Sequence, residues 1–548
     1  MIMIAIFANR IGLDHNANWG MSRILILAIG IVIASCSLFF FFVSSKIKRV
    51  YFLTGIAIIF VTAIYVWFVS VGLWVNWPKT TNYYDMLATS FQHGQLSLQI
   101  KPDATLLSLP DPYSVDSRKA RPDIPYIFDG SLYNGKFYLY WGPVPALFLA
   151  AVKFLIPSEI GDQYIVFAFT VGLFLIQIAL SLNIWKRFFS ELPEWTALLG
   201  ILLCGLISPI TWMLNQPQIY ETSIVSGQFF LMGGILFVVI ALGDRSSVSS
   251  LPMIAAGIFL SLAVGSRIVL AFPVIFIILM NILWIMPNNF RTYFPSNSLT
   301  PLIALIVPLV VGAILLGWYN WARFGSVVES GLRYQLSGIN YRDHFKDIFS
   351  TSYIPANLYN FLLTPFNIIQ TFPFIKPLSG DRSFTLFHAA PSFYYSREKI
   401  TGLLYTSPFL LFAFLPPVIF VSKVYKAHRD APLNNDDVDS KFLRWLSVTL
   451  IGAALLSFAT IMLYYYCTMR FSADFMPTIT LFSMLGFWQG YKLFSNQQIA
   501  LFCYSTLAII LASATLVISS LLAVSSYSER FSTINPNLLN SLIVFFGR

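Results

Sequence analysis

Long apolar runs are the feature that most constrains the fold of this chain. Reading along the sequence gives about twelve runs of some 18 or more mainly apolar residues. A run of that length crosses a bilayer as an α-helix, because a helix satisfies its own backbone hydrogen bonds. We therefore predict an all-α polytopic membrane protein with about twelve transmembrane helices. The predicted spans cover residues 23–45, 51–76, 161–184, 195–213, 224–243, 251–266, 268–286, 301–319, 403–422, 444–465, 475–492 and 498–523.

Composition supports a membrane protein and excludes a soluble one. The 548 residues are 57% hydrophobic and only 11% charged, whereas soluble domains carry roughly 25% charged residues. The net charge of +10 does not indicate nucleic-acid binding, because the basic residues cluster in short loops between the apolar runs. There they orient the protein and meet anionic membrane lipids. The four cysteines lack the spacing of metal ligands.

The short basic loops predict which segments lie outside the cytoplasm. If the spans alternate, these loops share one side, and the positive-inside rule makes that side cytoplasmic. Two long segments, 78–159 and 321–402, then lie on the extracytoplasmic side. We accordingly divide the chain into an N-terminal part with an additional helix (1–50), a catalytic transmembrane module (51–320), the second outer segment (321–402) and C-terminal transmembrane helices (403–548).

The first outer segment opens with the stretch NYYDMLATSFQHGQL, in which Asp85 follows the apolar run that ends near Trp77. The pattern D-x-x-A-x-x-F-x-x-G-x-L, and the return through P-x-P-A-L, resemble the bacterial membrane-embedded glycosyltransferases of the GT-C superfamily. Further similar stretches are NQPQIYETSIVSGQFF, GSRIVLAFP, NWARFGSVVESGLRYQL and MRFSADFMPTITL. The resemblance covers most of the chain from residue 51 onward as short patterns.

The resemblance implies a glycosyltransferase in the bacterial inner membrane, with its active site facing outward. Such an enzyme transfers a sugar, with inversion, from a polyprenyl-phosphate donor to a lipid-linked or protein acceptor during synthesis of a surface glycan. A hydroxyl acceptor is a poor nucleophile near neutral pH, so the transfer needs a general base. The departing phosphate needs positive charge or a metal ion.

Two acids are the candidate catalytic residues. Asp85 is the candidate base, and the resemblance matches Glu221 to a second carboxylate, although many members carry Asp at that place. Together they are candidates for holding a weakly bound Mg or Mn ion. The alternative for Asp85 is a helix cap that favours the helix dipole.

Seven further residues are candidates for binding substrate. Arg267 supplies positive charge for a phosphate, although a snorkelling side chain is its alternative. Asp129 lies beside D-G and N-G turn dipeptides, which a hairpin also explains. Arg470 and Asp474 are spaced to pair with each other on a helix. The complete set of binding candidates is Asp129, Lys136, Arg267, Arg323, Arg333, Tyr334 and Arg470.

Two other classes of membrane protein remain open. A transporter or flippase of lipid-linked sugars also has about a dozen spans, but such proteins often show repeated halves, and this chain shows no internal repeat. A polymerase or ligase of surface polysaccharide would rely on basic residues of the second outer segment. Those residues are Arg342, His344, Lys346 and Arg382.

Overall fold

A computed structural model describes residues 2–12, 23, 27, 30, 45–243, 248–286, 299–380, 391–421, 438–526 and 529–547. These residues form a helix bundle with two long segments gathered at one end. The α-helices are α1 (Ile2–Ile6), α2 (Lys46–Val69), α3 (Tyr83–Gln92), α4 (Ala104–Leu107), α5 (Val115–Lys119), α6 (Val144–Val152), α7 (Asp162–Phe188), α8 (Glu194–Leu206), α9 (Ile210–Asn215), α10 (Ile219–Ala241), α11 (Ser250–Ser266), α12 (Ala271–Ile285), α13 (Leu299–Phe324), α14 (Ile354–Leu363), α15 (Leu403–Thr406), α16 (Val438–Met462), α17 (Met476–Phe494), α18 (Gln498–Val524), α19 (Arg530–Ile534) and α20 (Pro536–Phe546). The strands are β1 (Ser131–Tyr133), β2 (Lys136–Tyr138), β3 (Phe366–Ile368), β4 (Ile375–Ser379) and β5 (Lys399–Ile400).

The helices confirm a mainly helical, polytopic membrane protein. In the described part of the chain, 8 helices are long and apolar enough to cross a membrane. They are Lys46–Val69, Asp162–Phe188, Glu194–Asn215, Ile219–Ala241, Ile268–Ile285, Leu299–Phe324, Asp439–Met462 and Gln498–Val524. Shorter apolar helices fall on two further predicted spans, at Ser250–Ser266 and Pro408–Val421, and α17 falls on a third. The span predicted at 23–45 lies outside the described residues except for positions 23, 27, 30 and 45, so the count of twelve stays a prediction.

The first long helix ends earlier than its apolar run. We predicted a span to residue 76, but α2 ends at Val69. Val71, Gly72 and Trp74 then adopt positive φ angles of 54°, 75° and 62°, and a helix cannot continue through the left-handed region. Asp85 therefore belongs to a separate short helix, α3.

The segment between α2 and α7 is ordered and has its own small core. Its buried apolar side chains, among them Tyr84, Leu106 and Phe137, pack together with Leu336 of the second long segment. The predicted N-G turn is confirmed, because Asn134 and Gly135 take φ angles of 47° and 68° and connect β1 to β2 in an antiparallel hairpin. The two long segments thus share one end of the bundle, which we call the loop end.

Short connectors at the opposite end, the connector end, are held together by ion pairs. Arg49 contacts Glu194 at 2.5 Å, Arg187 contacts Asp439 at 2.9 Å and Lys492 contacts Glu191 at 2.5 Å. The Lys46 ammonium also donates to the Ser190 carbonyl at 2.8 Å. The basic connectors in the described part of the chain therefore lie together, and the side of the membrane that they face stays a prediction.

Cysteine labelling tests that orientation. Lys119, in α5 at the loop end, and Asn496, after α17 at the connector end, are both exposed. The background carries serine at Cys36 and Cys503. In it, Lys119→Cys should react with a membrane-impermeant maleimide added outside the cell. Asn496→Cys should react with that maleimide only after the membrane is permeabilised. The buried Cys204 and Cys467 stay in place and serve as the unlabelled control. Labelling of both introduced thiols from the same side would contradict the orientation.

Candidate active site

A cavity of about 190 Å³ lies at the loop end, between the ends of α10, α11, α13 and α16. Both long segments contribute to its wall, the first through residues 140–143 and the second through Ser330, Leu332 and Phe349. Apolar side chains line the part between the helices, and arginine and tyrosine side chains line the rest. The apolar part includes Ile224, Val264, Val269, Leu316 and Ile461, and the polar part includes Tyr140, Tyr220, Arg267, Arg323, Tyr464 and Tyr466.

Arg267 is held in this wall by a two-pronged ion pair. It lies at the break between α11 and the 3-10 turn Ile268–Leu270. Its Nε and Nη2 donate to the two carboxylate oxygens of Asp474 at 2.6 and 2.5 Å. Within the described part of the chain, Nη1 makes no hydrogen bond. The pairing of Arg470 with Asp474 that the sequence spacing predicted is wrong, because residues 469–474 form a 3-10 helix and Asp474 faces Arg267.

Arg470 lies near Arg267 and faces different partners. Its guanidinium stacks over the ring of Tyr220 at 4.7 Å, and Nη1 lies 3.7 Å from Glu398 of the second long segment. Both arginines approach the ring of Phe471, at 5.7 and 5.6 Å. Arg267 lines the cavity, whereas Arg470 lies next to it, behind the lining residue Tyr220. Each of these two guanidinium groups already has one acidic partner.

Asp129 is placed beside the cavity by an unusual backbone conformation. It adopts a φ of 60°, and its N–H donates to the Leu336 carbonyl at 2.9 Å. Residues held in the left-handed region cluster at functional sites. The Asp129 side chain is only 6% exposed and its Oδ2 accepts the hydroxyl of Tyr220, a cavity-lining residue. Oδ1 has no hydrogen-bond partner in the described part of the chain.

Burial raises the pKa of the Asp129 carboxyl above its usual value, and its hydrogen bond with Tyr220 acts in the opposite direction. The cause is that a charged carboxylate loses its hydration when it is buried. An acid with a raised pKa, joined to a hydroxyl in a cavity wall, is the arrangement expected of a group that takes up a proton.

Glu221 caps the helix that carries Tyr220. It occupies the third position of α10, and its Oε2 accepts the backbone N–H of Gln218 at 3.2 Å. Together with the Gln218 side chain this forms a capping box. Glu221 is 1% exposed and is not among the residues that line the cavity, so its visible contact fixes the start of α10.

Asp85 is engaged in a buried ion pair away from the cavity wall. Its Oδ1 accepts from the Lys153 ammonium at 2.6 Å and from the backbone N–H of Ile160 at 3.1 Å. The two charged side chains are 9% and 6% exposed. These contacts join α3 to the chain after α6. Its role as general base stays a prediction, and its visible contacts are structural.

The acids were also candidates for a divalent ion. In the described residues, no group of three or more His, Cys, Asp or Glu side chains has the spacing to hold a metal. Lys153 neutralises Asp85, and Glu221 is engaged with the backbone at the start of α10. The donor set formed by Asp85 and Glu221 therefore does not fit a metal site.

The remaining predicted binding residues have diverse surroundings. All three guanidinium nitrogens of Arg323 are occupied, by the Tyr319 and Leu139 carbonyls and by Asn320, so this cavity-lining side chain ties α13 to the first long segment. Arg333 is exposed and stacks over Phe345, and Tyr334 stacks against Phe324. Lys136 is exposed beside the hairpin turn. None of these last three lines the cavity.

The basic residues of the polymerase alternative lie outside the cavity wall. Arg342 stacks over Tyr113, and His344 pairs with Asp347 at 3.1 Å on the surface. Lys346 is exposed, and Arg382 lies outside the described residues. The described members of the set do not converge on a common site.

Sequence reasoning missed several residues that build the site. Tyr140 and Tyr466 line the cavity, Lys153 neutralises Asp85, and Glu398 faces Arg470. The stretches LYWGP and LYYYCTMR carried a signal, because Tyr and Trp concentrate at the membrane interface, where the ends of the predicted spans lie. Lys153 and Glu398 gave no local signal, since each partner is distant in the sequence.

Comparisons with known proteins find similarity only at the level of structure. No family model and no curated protein sequence matches the chain. The apo oligosaccharyltransferase of Archaeoglobus fulgidus matches with a TM-score of 0.44 and 12% identity, over 86% of this chain and 56% of that one. The same enzyme with an inhibitory peptide and a dolichol-phosphate matches with a TM-score of 0.42 and 12% identity, over 88% and 56%.

The chain spans little more than half the length of these archaeal structures. We take no correspondence of residues or substrates from matches this distant.

Substitution of Asp85 tests its structural role. Asp85→Asn leaves the buried Lys153 without an anionic partner, which should destabilise the protein by about 3–5 kcal/mol. Thermal unfolding of the purified protein in detergent measures this loss, with the exposed Asp116→Asn as the control. The double variant Asp85→Asn/Lys153→Met should recover much of the stability. An Asp85→Asn protein with parental stability that has lost sugar transfer would instead support the role of base.

Proposed function

We propose that this chain is an integral membrane glycosyltransferase that moves a sugar from a polyprenyl-phosphate-linked donor to a lipid-linked glycan or a protein at the loop end. The observation that carries the proposal is the cavity, in which an apolar wall between helices continues into an arginine- and tyrosine-lined part under the two long segments. An amphiphilic ligand with a long apolar chain and an anionic head matches both parts.

Arg267 is the proposed contact for the donor phosphate. Asp474 occupies its Nε and Nη2 and fixes the plane of the guanidinium, so Nη1 is held in place before a ligand arrives. A charge that is fixed in advance stabilises a departing phosphate better than one that must reorganise. Arg470, held by Glu398 and Tyr220, adds a second fixed cation.

Proton transfer from the acceptor is assigned to Tyr220 and Asp129. Tyr220 lines the cavity, and its hydroxyl donates to Asp129 Oδ2. As the acceptor oxygen bonds to the anomeric carbon, its proton moves to the Tyr220 oxygen and the Tyr220 proton moves to Asp129. The sugar–phosphate bond breaks and the lipid phosphate leaves as an anion beside Arg267. Asp85 remains the alternative base that the sequence pattern proposes.

A matched pair of double variants tests the phosphate site. Arg267→Gln/Asp474→Asn removes both charges and keeps the shape, so no buried charge is left alone. We expect its affinity for a polyprenyl phosphate to fall at least about 10-fold, the loss of one charge-assisted hydrogen bond, with little change in unfolding temperature. Binding is measured by displacement of a fluorescent lipid phosphate from the purified protein.

The control for this experiment is Arg121→Gln/Asp123→Asn. It removes an ion pair of 3.0 Å whose side chains are 49% and 64% exposed, and it should leave the affinity unchanged. Unchanged affinity in the Arg267/Asp474 double variant would remove Arg267 from the phosphate site.

The pH profile of transfer tests Asp129. Proton uptake needs the ionised carboxylate, and burial raises the pKa of Asp129. Transfer should therefore decline with falling pH at a value above the ordinary aspartate pKa of about 3.9. Asp129→Asn should lower kcat roughly 10²- to 10⁴-fold and Tyr220→Phe should lower it in the same direction, with donor binding retained in both. An Asp129→Asn enzyme with parental kcat and an unchanged acid limb would exclude this assignment.

A further inference from the structure

Behind the Arg267–Asp474 pair, the bundle contains a second, much smaller cavity of about 10 Å³. It is lined by side chains from α7, α9 and α10 and from the chain around Asp474. Most of these are apolar, including Leu173, Ile210 and Met213. Two are glutamines, Gln177 near the middle of α7 and Gln228 near the middle of α10.

The two glutamines present polar atoms for which the protein supplies no partner. Neither the Oε1 nor the Nε2 of Gln177 has a hydrogen-bond partner in the described part of the chain, and the same is true of Gln228 Oε1. Both residues are buried, with exposures of 0% and 1%. A buried polar group without a hydrogen bond destabilises the folded protein, so three such atoms around one small cavity need an explanation.

We propose that this cavity binds one structural water molecule, which bridges Gln177 and Gln228. The cavity volume is close to the least that a water molecule needs, and buried waters typically make two to four hydrogen bonds. A water molecule there donates one hydrogen bond to Gln228 Oε1. With Gln177 it either donates to Oε1 or accepts from Nε2. An ion is a poorer occupant, because no charged side chain lines the cavity.

The water joins the interior of the bundle to the candidate active site. Gln228 Nε2 donates to the backbone carbonyl of Asp474 at 2.8 Å, and the Asp474 side chain holds Arg267. The bridge fixes the Gln228 amide and thereby the short 3-10 helix that ends at Asp474. Gln177 and Gln228 are thus positioning residues for Arg267, and this second step rests on the proposed function.

A double-mutant cycle tests the water through the sign of a stability change. Methionine has nearly the shape of glutamine without its polar atoms. If no water molecule occupies the cavity, Gln177→Met removes unpaired polar atoms and raises the unfolding temperature. If a water bridges the two amides, Gln177→Met removes hydrogen bonds and leaves Gln228 Oε1 unpaired, so the unfolding temperature falls.

We expect Gln177→Met to lower the midpoint of thermal unfolding by about 2 °C or more, and by clearly less in a Gln228→Met background. Leu180→Met, a buried position of α7 outside this cavity, is the matched control for inserting methionine and should change the midpoint less. An unchanged or higher midpoint in Gln177→Met would overturn the proposal. An equal fall in both backgrounds would also overturn it, because the loss would then be one of packing.

Binding of polyprenyl phosphate separates the two steps of the argument. Gln177→Met should weaken binding severalfold, because the Gln228–Asp474–Arg267 chain is less well fixed, while Gln177→Glu, which keeps an acceptor for the water, should weaken it less. If Gln177→Met binds polyprenyl phosphate with parental affinity and the stability cycle shows the expected coupling, the link to Arg267 is rejected. The proposal of a bound water molecule is then retained. The stability cycle uses no ligand, so its result does not depend on the proposed function.

Discussion

The site depends on the ion pair between Arg267, whose side chain is 15% exposed, and the fully buried Asp474. Arg267 lies where α11 ends and a 3-10 turn leads into α12, and Asp474 ends the 3-10 helix that precedes α17. The pair therefore joins two helix breaks that are more than two hundred residues apart. Two charges in a low-dielectric bundle are costly unless their geometry is good, and here two hydrogen bonds meet that condition. The pair also gives the cavity wall a guanidinium that is oriented in advance.

The two long segments complete the site by joining each other. The backbones of Asp129 and Gly130 pair with Leu336 of the second segment, and the Gln335 side chain donates to the Asp129 carbonyl at 3.1 Å. This junction holds Asp129 in its left-handed conformation and presents its carboxylate to Tyr220. The same interaction that closes the cavity therefore also sets the position of an acid beside it. A loop attached only at its ends would not fix that geometry.

The positions of the membrane-spanning helices were predictable from the hydropathy of the sequence, but the residues at which they end were not always so. The spans from residue 51 onward fall on helices because the apolar length of a run is a local property. The end of α2 was not predictable in this way, since left-handed residues from Val71 to Trp74 stop the helix while the apolar run continues. The N-G turn was predictable because its two residues alone determine the required φ angles.

The candidate site was predictable only in part. Arg267 stood out as a charge flanked by apolar runs, and Glu221 was matched through the family resemblance. The structure places Arg267 in the cavity wall and Asp129, Arg470 and Glu221 next to it. Asp85, the first candidate, lies in a separate ion pair. Their partners were not predictable. Asp474 was paired with Arg470 on helical spacing, whereas a 3-10 helix and a long-range contact with Arg267 decide the pairing. Lys153 likewise changes the surroundings of Asp85 from a distant part of the chain.

The most direct measurement of the central claim is an experimental structure of the full chain with a polyprenyl phosphate bound. The account predicts density for the phosphate beside Arg267 Nη1 and for the isoprenoid chain against Val264, Leu316 and Ile461. Density for the phosphate beside Lys153 or along the second long segment, with the cavity at Arg267 unoccupied by the lipid, would contradict it.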